Sequence, residues 1–132
     1  MLPSEIKDFV KNALVDVVED MATTEETYAR YFSKKYIQYV DGKTLDYHKL
    51  ISHMKAQKSI LRSAKITFKH LIAEGNKVSS THVVDAVKKN GGVIKAQVNA
   101  LIELKDDKIV LCDELTFLIE GAKEDENIGS CS

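Results

Sequence analysis

The chain has 132 residues, of which 44% are apolar and 30% charged, with a formal net charge of −1. This length and composition are typical of one globular domain with a single core. The near-neutral charge supplies no basic field, so neither nucleic acid nor a membrane surface is expected as a partner. The sequence contains no apolar run of the ~18–20 residues that a membrane span requires, and no secretory signal at its start.

The two cysteines are too few for a disulfide framework. Cys112 falls inside a predicted strand, where a buried thiol is expected, and Cys131 stands next to the last residue. Unpaired thiols are typical of a reducing compartment, so the cysteines favour a cytoplasmic protein.

Two helices are predicted near the start of the chain. Pro3 and Glu5 suit the first turn of a helix, and apolar residues then recur at helical spacing as far as Met21. Thr23 and Glu26 have the spacing of a capping box, which predicts a second, short helix.

A short hairpin and a third helix follow. Tyr36–Val40 is rich in β-branched and aromatic residues, Asp41-Gly42 is a turn signal, and Lys43–Leu45 is the expected return strand. Asp46 is the expected N-cap of a helix over Tyr47–Arg62.

The second half of the chain predicts four long antiparallel strands, at Ala64–Ala73, Lys77–Lys88, Val93–Lys105 and Lys108–Ile119. Turns rich in Gly, Asn and Asp separate them, and these residues tolerate the positive φ that tight hairpins need. Such a sheet must cover its apolar face. The order of elements therefore predicts an α+β fold in which the three helices pack on the sheet.

The last strand carries apolar residues on both faces. Cys112, Glu114 and Thr116 lie on one face. Leu115, Phe117 and Ile119 lie on the other face, where they form an apolar row. A row of this kind is not expected to face water, so we predict a homodimer through the outer face of the sheet. Residues 1–120 are expected to form a single domain, and residues 121–132 a polar tail.

The sequence lacks the local signatures of common catalytic sites: a Gly-rich phosphate loop, a nucleophile elbow, a paired-cysteine zinc site and a His-Glu-x-x-His helix. His48 and His53 are five residues apart, which is not the spacing of a two-histidine metal face. We therefore expect no cofactor and no metal.

The order of elements resembles the nuclear transport factor 2-like superfamily, which includes the SnoaL-like polyketide cyclases, ketosteroid isomerase and limonene epoxide hydrolase. The residues that carry the resemblance are Tyr39-Val40-Asp41-Gly42, Ile72 to Val78, Asp107 to Val110, Asp113 to Thr116, and Asn127 to Ser130. The resemblance covers nearly the whole chain. It implies a cone-shaped α+β domain with the helices in the concave face of a curved, mostly antiparallel sheet.

The resemblance also implies site residues. The general base of the isomerase corresponds to Asp41, and the water-holding tyrosine and asparagine of the epoxide hydrolase correspond to Tyr39 and Asp41. The two aspartates of the hydrolase correspond to Asp85 and Glu114. Three site residues of the family are missing here. The position of the isomerase tyrosine lies near Val17, and that of its second acid lies in the 96–100 region. The position of the hydrolase arginine is occupied by Val83.

These correspondences predict carboxylates around one cavity. His70 alternates with Ile66, Phe68 and Ile72, and this pattern places it on the inner face beside them. Carboxylates in an apolar cavity repel one another and lose hydration, so at least one pKa is expected to rise and supply acid/base chemistry. Each residue has a simpler alternative: Asp41 as a turn residue, His70 as a packing residue, and Glu114 as a solvent-facing acid or part of a dimer salt bridge. Asp85 reaches the cavity only if a bulge exchanges the faces of its strand.

Eight further residues are candidates for lining the cavity, although core packing is the simpler interpretation of Tyr28 and Phe32. They are Tyr28, Phe32, Tyr39, Met54, Phe68, Val98, Cys112 and Thr116.

The expected function is the binding of a small hydrophobic molecule, either by a binding protein or by a cofactor-independent hydrolase, isomerase or cyclase. The alternative is a non-catalytic dimeric module for protein interaction or assembly. A third hypothesis is a regulatory domain in which ligand binding acts as a signal.

Overall fold

The structure, a computed structural model, describes residues 1–128. The described residues do not include Gly129 and Ser130, which carry part of the resemblance, or Cys131. No helix among residues 1–128 is long and apolar enough to span a bilayer.

Three helices form in the first half of the chain: α1 (Pro3–Glu19), α2 (Glu25–Tyr31) and α3 (Tyr47–Ile60). The N-cap prediction for α3 is confirmed, because a carboxylate oxygen of Asp46 accepts a hydrogen bond from the backbone N–H of Lys49 at 2.8 Å. The capping box predicted at Thr23 is wrong. Helix α2 has Thr24 as its N-cap without a side-chain bond, and the Thr23 hydroxyl lies 3.1 Å from that of Tyr28.

Six strands form one sheet: β1 (Phe32–Val40), β2 (Lys43–Asp46), β3 (Leu61–Glu74), β4 (Lys77–Lys88), β5 (Val93–Lys105) and β6 (Lys108–Glu120). The four long antiparallel strands are confirmed. However, β3 begins directly after α3, so the predicted helical end at Arg62 is extended chain. Phe32 directly follows α2 and is the first residue of β1.

The sheet order is β2-β1-β6-β5-β4-β3, and β1 runs parallel to β6. In this register Gln38 pairs with Cys112, and Val40 pairs with Glu114. The early strand β1 therefore places its side chains directly beside those of the last strand. This pairing brings together residues that are far apart in the sequence.

The helices cover one face of the sheet and form the core with it. Helix α1 buries Ile6, Val10, Ala13 and Val17 in the same cluster as the inward residues of β5, such as Ile102. Burying apolar surface of this kind is the main driving force of folding. The predicted fold class, an α+β domain with three helices packed on a mostly antiparallel sheet, is confirmed.

A β-bulge interrupts β3 between Phe68 and His70. Such a bulge inserts one extra residue, which exchanges the two faces of the strand beyond it. Ile66 is buried before the bulge, whereas Ile72 is 65% exposed after it. The alternation of the sequence therefore predicts the wrong face for the second half of β3.

The opposite face of the sheet carries exposed apolar side chains. Leu115 is 69% and Phe117 71% exposed, and Leu101 and Ile119 are exposed over 42% and 49% of their surface. We call these four residues the outer patch. Leu101 pairs with Asp113, so it shares a face with the neighbouring odd-numbered residues of β6. An apolar group of this kind is typical of an interaction surface.

Candidate functional site

A cavity of about 130 Å³ lies between the helices and the inner face of the sheet. Its walls are mainly apolar and come from α1, α3, β1 and strands β4 to β6, with Leu14, Val17, Leu50, Ala96, Ile102 and Ile109 among them. Mostly apolar walls with a few convergent polar groups are typical of small-molecule sites. The polar groups here include Gln38, His82 and Glu114.

A chain of hydrogen bonds ends on Glu114. The hydroxyl of Tyr36 donates to the side-chain carbonyl of Gln38 at 2.7 Å, and the amide nitrogen of Gln38 donates to the carboxylate of Glu114. Tyr36 and Gln38 are almost fully buried, at 2% and 4% exposure. The parallel pairing of β1 with β6 makes this contact possible.

The pKa of Glu114 is raised to about 7. The main cause is burial, which disfavours the charged form, and the nearby charge of Asp41 adds to it. The hydrogen bond from Gln38 acts in the opposite direction. Near neutral pH this carboxyl therefore exists in both protonation states, which is the condition for efficient acid/base catalysis.

Asp41 holds its position through the backbone of β6. It adopts a left-handed conformation with φ 52°, and its carboxylate accepts a hydrogen bond from the N–H of Thr116 at 2.7 Å. Its own N–H donates to the carbonyl of Glu114 at 3.2 Å. Asp41 thus ties the β1–β2 turn to β6 and places a negative charge close to Glu114. It is not among the residues that line the cavity.

Two further groups near Glu114 are held neutral. Burial is the largest cause that raises the pKa of the Tyr36 hydroxyl and of the Cys112 thiol well above their ordinary values. Cys112 lines the cavity as a buried thiol, as predicted from its strand position. A neutral thiol is a poor nucleophile, so this cysteine acts as an apolar wall.

His82 lies on β4 and also lines the cavity. It is 3% exposed, and its Nδ1 lies 2.8 Å from the hydroxyl of Ser80. Burial lowers the pKa of His82 to about 4, so the ring is neutral at physiological pH. The ring of Phe68 packs beside it, with the ring centres 5.7 Å apart.

The described part of the tail covers one side of the cavity. Ile128 is 9% exposed and lines the cavity, and its carbonyl accepts a hydrogen bond from the side chain of Gln57 at 2.7 Å. Asp125, 3% exposed, accepts a hydrogen bond from the ammonium group of Lys88 at 3.2 Å. This buried ion pair fixes the segment 122–128, which we call the tail strap, to the end of β4.

Lys88→Met should release the tail strap, because Asp125 would then lose the cation that balances its buried charge. The expected result is about tenfold faster cleavage by endoproteinase Glu-C after Glu124 or Glu126. Lys89→Met is the matched control, since Lys89 is the exposed neighbour and should leave the cleavage rate unchanged. Equal rates for the two variants would show that the ion pair does not hold the tail strap.

Several predicted site residues meet at this cavity. Besides Glu114, the residues that line it are Phe32, Met54, Val98, Cys112 and Thr116. Tyr28 is buried elsewhere in the core, where its hydroxyl meets Thr23. Tyr39 is 47% exposed, because it alternates with the inward residues Tyr36 and Gln38.

The structure does not bring His70 or Asp85 to the cavity. Both side chains are exposed. The bulge between Phe68 and His70 turns His70 outward, whereas β4 pairs with β5 without any such irregularity and keeps Asp85 on the outer face opposite Lys95. Phe68 is half-buried and reaches the site only through its contact with His82. The expected group of acids is therefore reduced to Glu114 and the nearby Asp41.

Sequence reasoning missed several residues of the site, and Gln38, His82 and Ile128 are among them. The alternation of Tyr36, Gln38 and Val40 in β1 was a usable signal for Gln38, and the even-numbered positions of β4 were a signal for His82. The polar composition of the tail contained no signal for the burial of Ile128. Within residues 1–128 no group of three His, Cys, Asp or Glu side chains is arranged to hold a metal ion.

No protein-family model matches the chain. Over 129 residues it is 30% identical to the uncharacterized protein C11D3.04c of Schizosaccharomyces pombe, and the match covers 98% of each chain. The fold is similar to that of a Jannaschia sp. CCS1 protein assigned as a SnoaL-like polyketide cyclase. That pair has a TM-score of 0.72 and 9% identity, over 87% of each chain.

The fold is also similar to that of an M. tuberculosis epoxide hydrolase related to the limonene enzyme. This pair has a TM-score of 0.69 and 12% identity, over 96% of this chain and 90% of the hydrolase. At such identities the likeness shows the fold and not the activity, because this fold carries many functions. The resemblance expected from the order of elements is confirmed at this level.

Proposed function

This chain belongs to the same family as the uncharacterized protein C11D3.04c and has the nuclear transport factor 2-like fold, and from that premise we propose a small-molecule site. In this proposal the cavity binds a small, mainly apolar molecule, and Glu114 acts on it as a general acid or base without a cofactor. Residues 1–120 form the binding domain, and the tail strap covers the cavity.

The observation that carries the proposal is the environment of Glu114. A carboxyl with a pKa of about 7 lines an apolar cavity, and Gln38 holds it in place. Burying a carboxyl costs free energy, so a carboxyl that contributed only to solubility or stability would be expected at the surface. Perturbed ionisable groups in clefts are typical of functional sites.

The size of the cavity limits the ligand. An engineered cavity of about 150 Å³ accommodates benzene, so a volume of about 130 Å³ suits a molecule of roughly one ring. A larger ligand requires the tail strap or the side chains of α3 to move. The names of the structural neighbours include a polyketide cyclase and an epoxide hydrolase, and both names denote enzymes that act on organic molecules.

Binding is tested with toluene as an apolar probe of one ring. Protein labelled with ¹³C at its methyl groups should show saturable shifts of Met54, Val98 and Ile102, which line the cavity. The methyl groups of Leu115, on the outer patch, serve as the internal control and should not shift in the same saturable way. If no cavity methyl responds while the protein is folded, the binding proposal is wrong. Native mass spectrometry of freshly purified protein would reveal a ligand that the protein retains.

Proton transfer is tested with cyclohexanone in D₂O. A general base removes an α-proton from the ketone, and the solvent returns a deuteron, so mass spectrometry follows the exchange directly. The wild-type protein should exchange this ketone about a hundredfold faster than Glu114→Gln, which cannot take up a proton. Equal rates would contradict the acid/base role of Glu114.

We propose that the outer patch mediates the predicted homodimer, because its exposed side chains lie on two central strands of the sheet. Light scattering should give twice the 14.8 kDa of the chain. The double variant Leu115→Lys with Phe117→Lys should be monomeric, since buried ammonium groups oppose association. Ile60→Lys, at the end of α3, is the matched control and should stay dimeric. A wild-type monomer at micromolar concentration would contradict the proposal.

A further inference from the structure

His82 is a polar group on the wall of the cavity away from Glu114. His82 pairs with Val98 across β4 and β5, and Val98 pairs with Thr116 across β5 and β6. Glu114 stands two residues before Thr116 on the same inner face. Two strand spacings and two residues along a strand separate the backbones of His82 and Glu114 by about 12 Å. The two side chains therefore enter one cavity from different sides.

The hydrogen bond with Ser80 determines which nitrogen of His82 carries the proton. Ser80 is 1% exposed, and its hydroxyl has Nδ1 of His82 as its partner among the described residues. If Nδ1 carried the proton, the Ser80 hydroxyl would accept that bond and its own hydrogen would lack an acceptor. A buried donor without a partner costs about 1–3 kcal/mol. The hydroxyl of Ser80 therefore donates to Nδ1, and the ring proton stays on Nε2.

Nε2 is consequently an N–H donor. Within residues 1–128 it has no hydrogen-bond partner, and the ring lines the cavity. The contact with Phe68 on one side and the bond to Ser80 on the other hold the ring in its orientation. Because burial keeps the imidazole neutral, this donor is present throughout the physiological pH range. A fixed donor in an apolar cavity favours a ligand with a matching acceptor.

We propose that the Nε2–H of His82 binds an acceptor oxygen of the ligand, so that the site selects small carbonyl or ether compounds over hydrocarbons of equal size. This inference rests on the proposed function, since it names the ligand class of the same cavity. In the complex the apolar body of the ligand fills the space between His82 and Glu114. The oxygen lies against His82, and the rest of the molecule extends toward the carboxyl.

The first test is the tautomer. In ¹⁵N-labelled protein, the long-range correlation spectrum of the His82 ring should show a protonated Nε2 and an unprotonated Nδ1. Addition of cyclohexanone should shift the Nε2 resonance, and addition of toluene should leave it nearly unchanged. A ring protonated on Nδ1 would overturn the inference, because Nε2 would then be an acceptor.

The second test is selectivity. Wild-type protein should bind cyclohexanone about fivefold more tightly than toluene, which corresponds to one hydrogen bond. The double variant Ser80→Ala with His82→Phe removes the donor without leaving a serine hydroxyl unpaired. In this variant the preference for cyclohexanone should disappear, while toluene should still bind. His82→Gln restores an N–H donor and should recover part of the preference. His70→Phe is the matched control, since His70 is exposed and the preference should not change.

The outcomes separate this inference from the proposed function. If toluene binds in the cavity but the double variant keeps the preference for cyclohexanone, His82 is not the anchor and the inference is wrong. If neither probe binds to folded protein, the proposed function fails, and the inference fails with it.

Discussion

Glu114→Gln should stabilise the protein at alkaline pH and leave its stability almost unchanged in acid. The pKa of Glu114 is about 7 in the folded protein, against an ordinary value of 4.5. Between these values the unfolded chain loses the proton while the folded protein keeps it. The free energy of unfolding of the wild type therefore falls as the pH rises through this interval, by about 3 kcal/mol in total.

The neutral amide in Glu114→Gln does not titrate and still accepts the hydrogen bond from Gln38. The difference in unfolding free energy between variant and wild type should therefore grow from near zero at about pH 4 to about 3 kcal/mol at about pH 8. Urea denaturation at several pH values measures it. Asp113→Asn, which changes the exposed neighbouring acid on the other face, is the matched control and should show no such growth. A difference that does not depend on pH would contradict the raised pKa.

Ile102→Ala should destabilise the protein by about 3 kcal/mol, because it removes a buried branched side chain and leaves a larger cavity. Ile102 is 1% exposed and lies in the wall of the site. The added space should also let the variant bind naphthalene, a probe of two rings that the wild type excludes. Urea denaturation and the methyl shifts of Val98 measure the two effects.

Val93→Ala is the control for this substitution, since Val93 lies on the same strand but is 50% exposed and is not part of the outer patch. It should cost less than about 1 kcal/mol and should not admit naphthalene. If the two variants lost similar amounts of unfolding free energy, the inner and outer faces of β5 would not be assigned correctly. Naphthalene binding to the wild type would show that the cavity opens more readily than its walls indicate.

Much of this architecture follows from short-range patterns in the sequence. The alternation is regular along β5 and along β6 from Cys112 to Thr116, so the inward positions of Val98, Cys112, Glu114 and Thr116 could be predicted. The turn signals and the Asp46 cap also act over a few residues and were identified correctly. These features depend on local geometry, which a single sequence contains.

The missing parts of the site depend on interactions between distant segments. The bond from Gln38 to Glu114 joins residues 76 positions apart and needs the parallel pairing of β1 with β6. The face of His70 depends on one inserted residue in β3, which alternation does not reveal. The buried Ile128 belongs to a segment that an ion pair between Lys88 and Asp125 joins to the distant strand β4. None of these features has a local pattern in the sequence.

The protonation state of Glu114 in the folded protein is the basis of the proposed chemistry. A ¹³C NMR titration of its side-chain carboxyl, assigned by the loss of that signal in Glu114→Gln, measures it directly. A midpoint near 7 is the expected result. A midpoint near the ordinary value of 4.5 would contradict the account, because the carboxyl would then be a fully ionised, hydrated group at neutral pH.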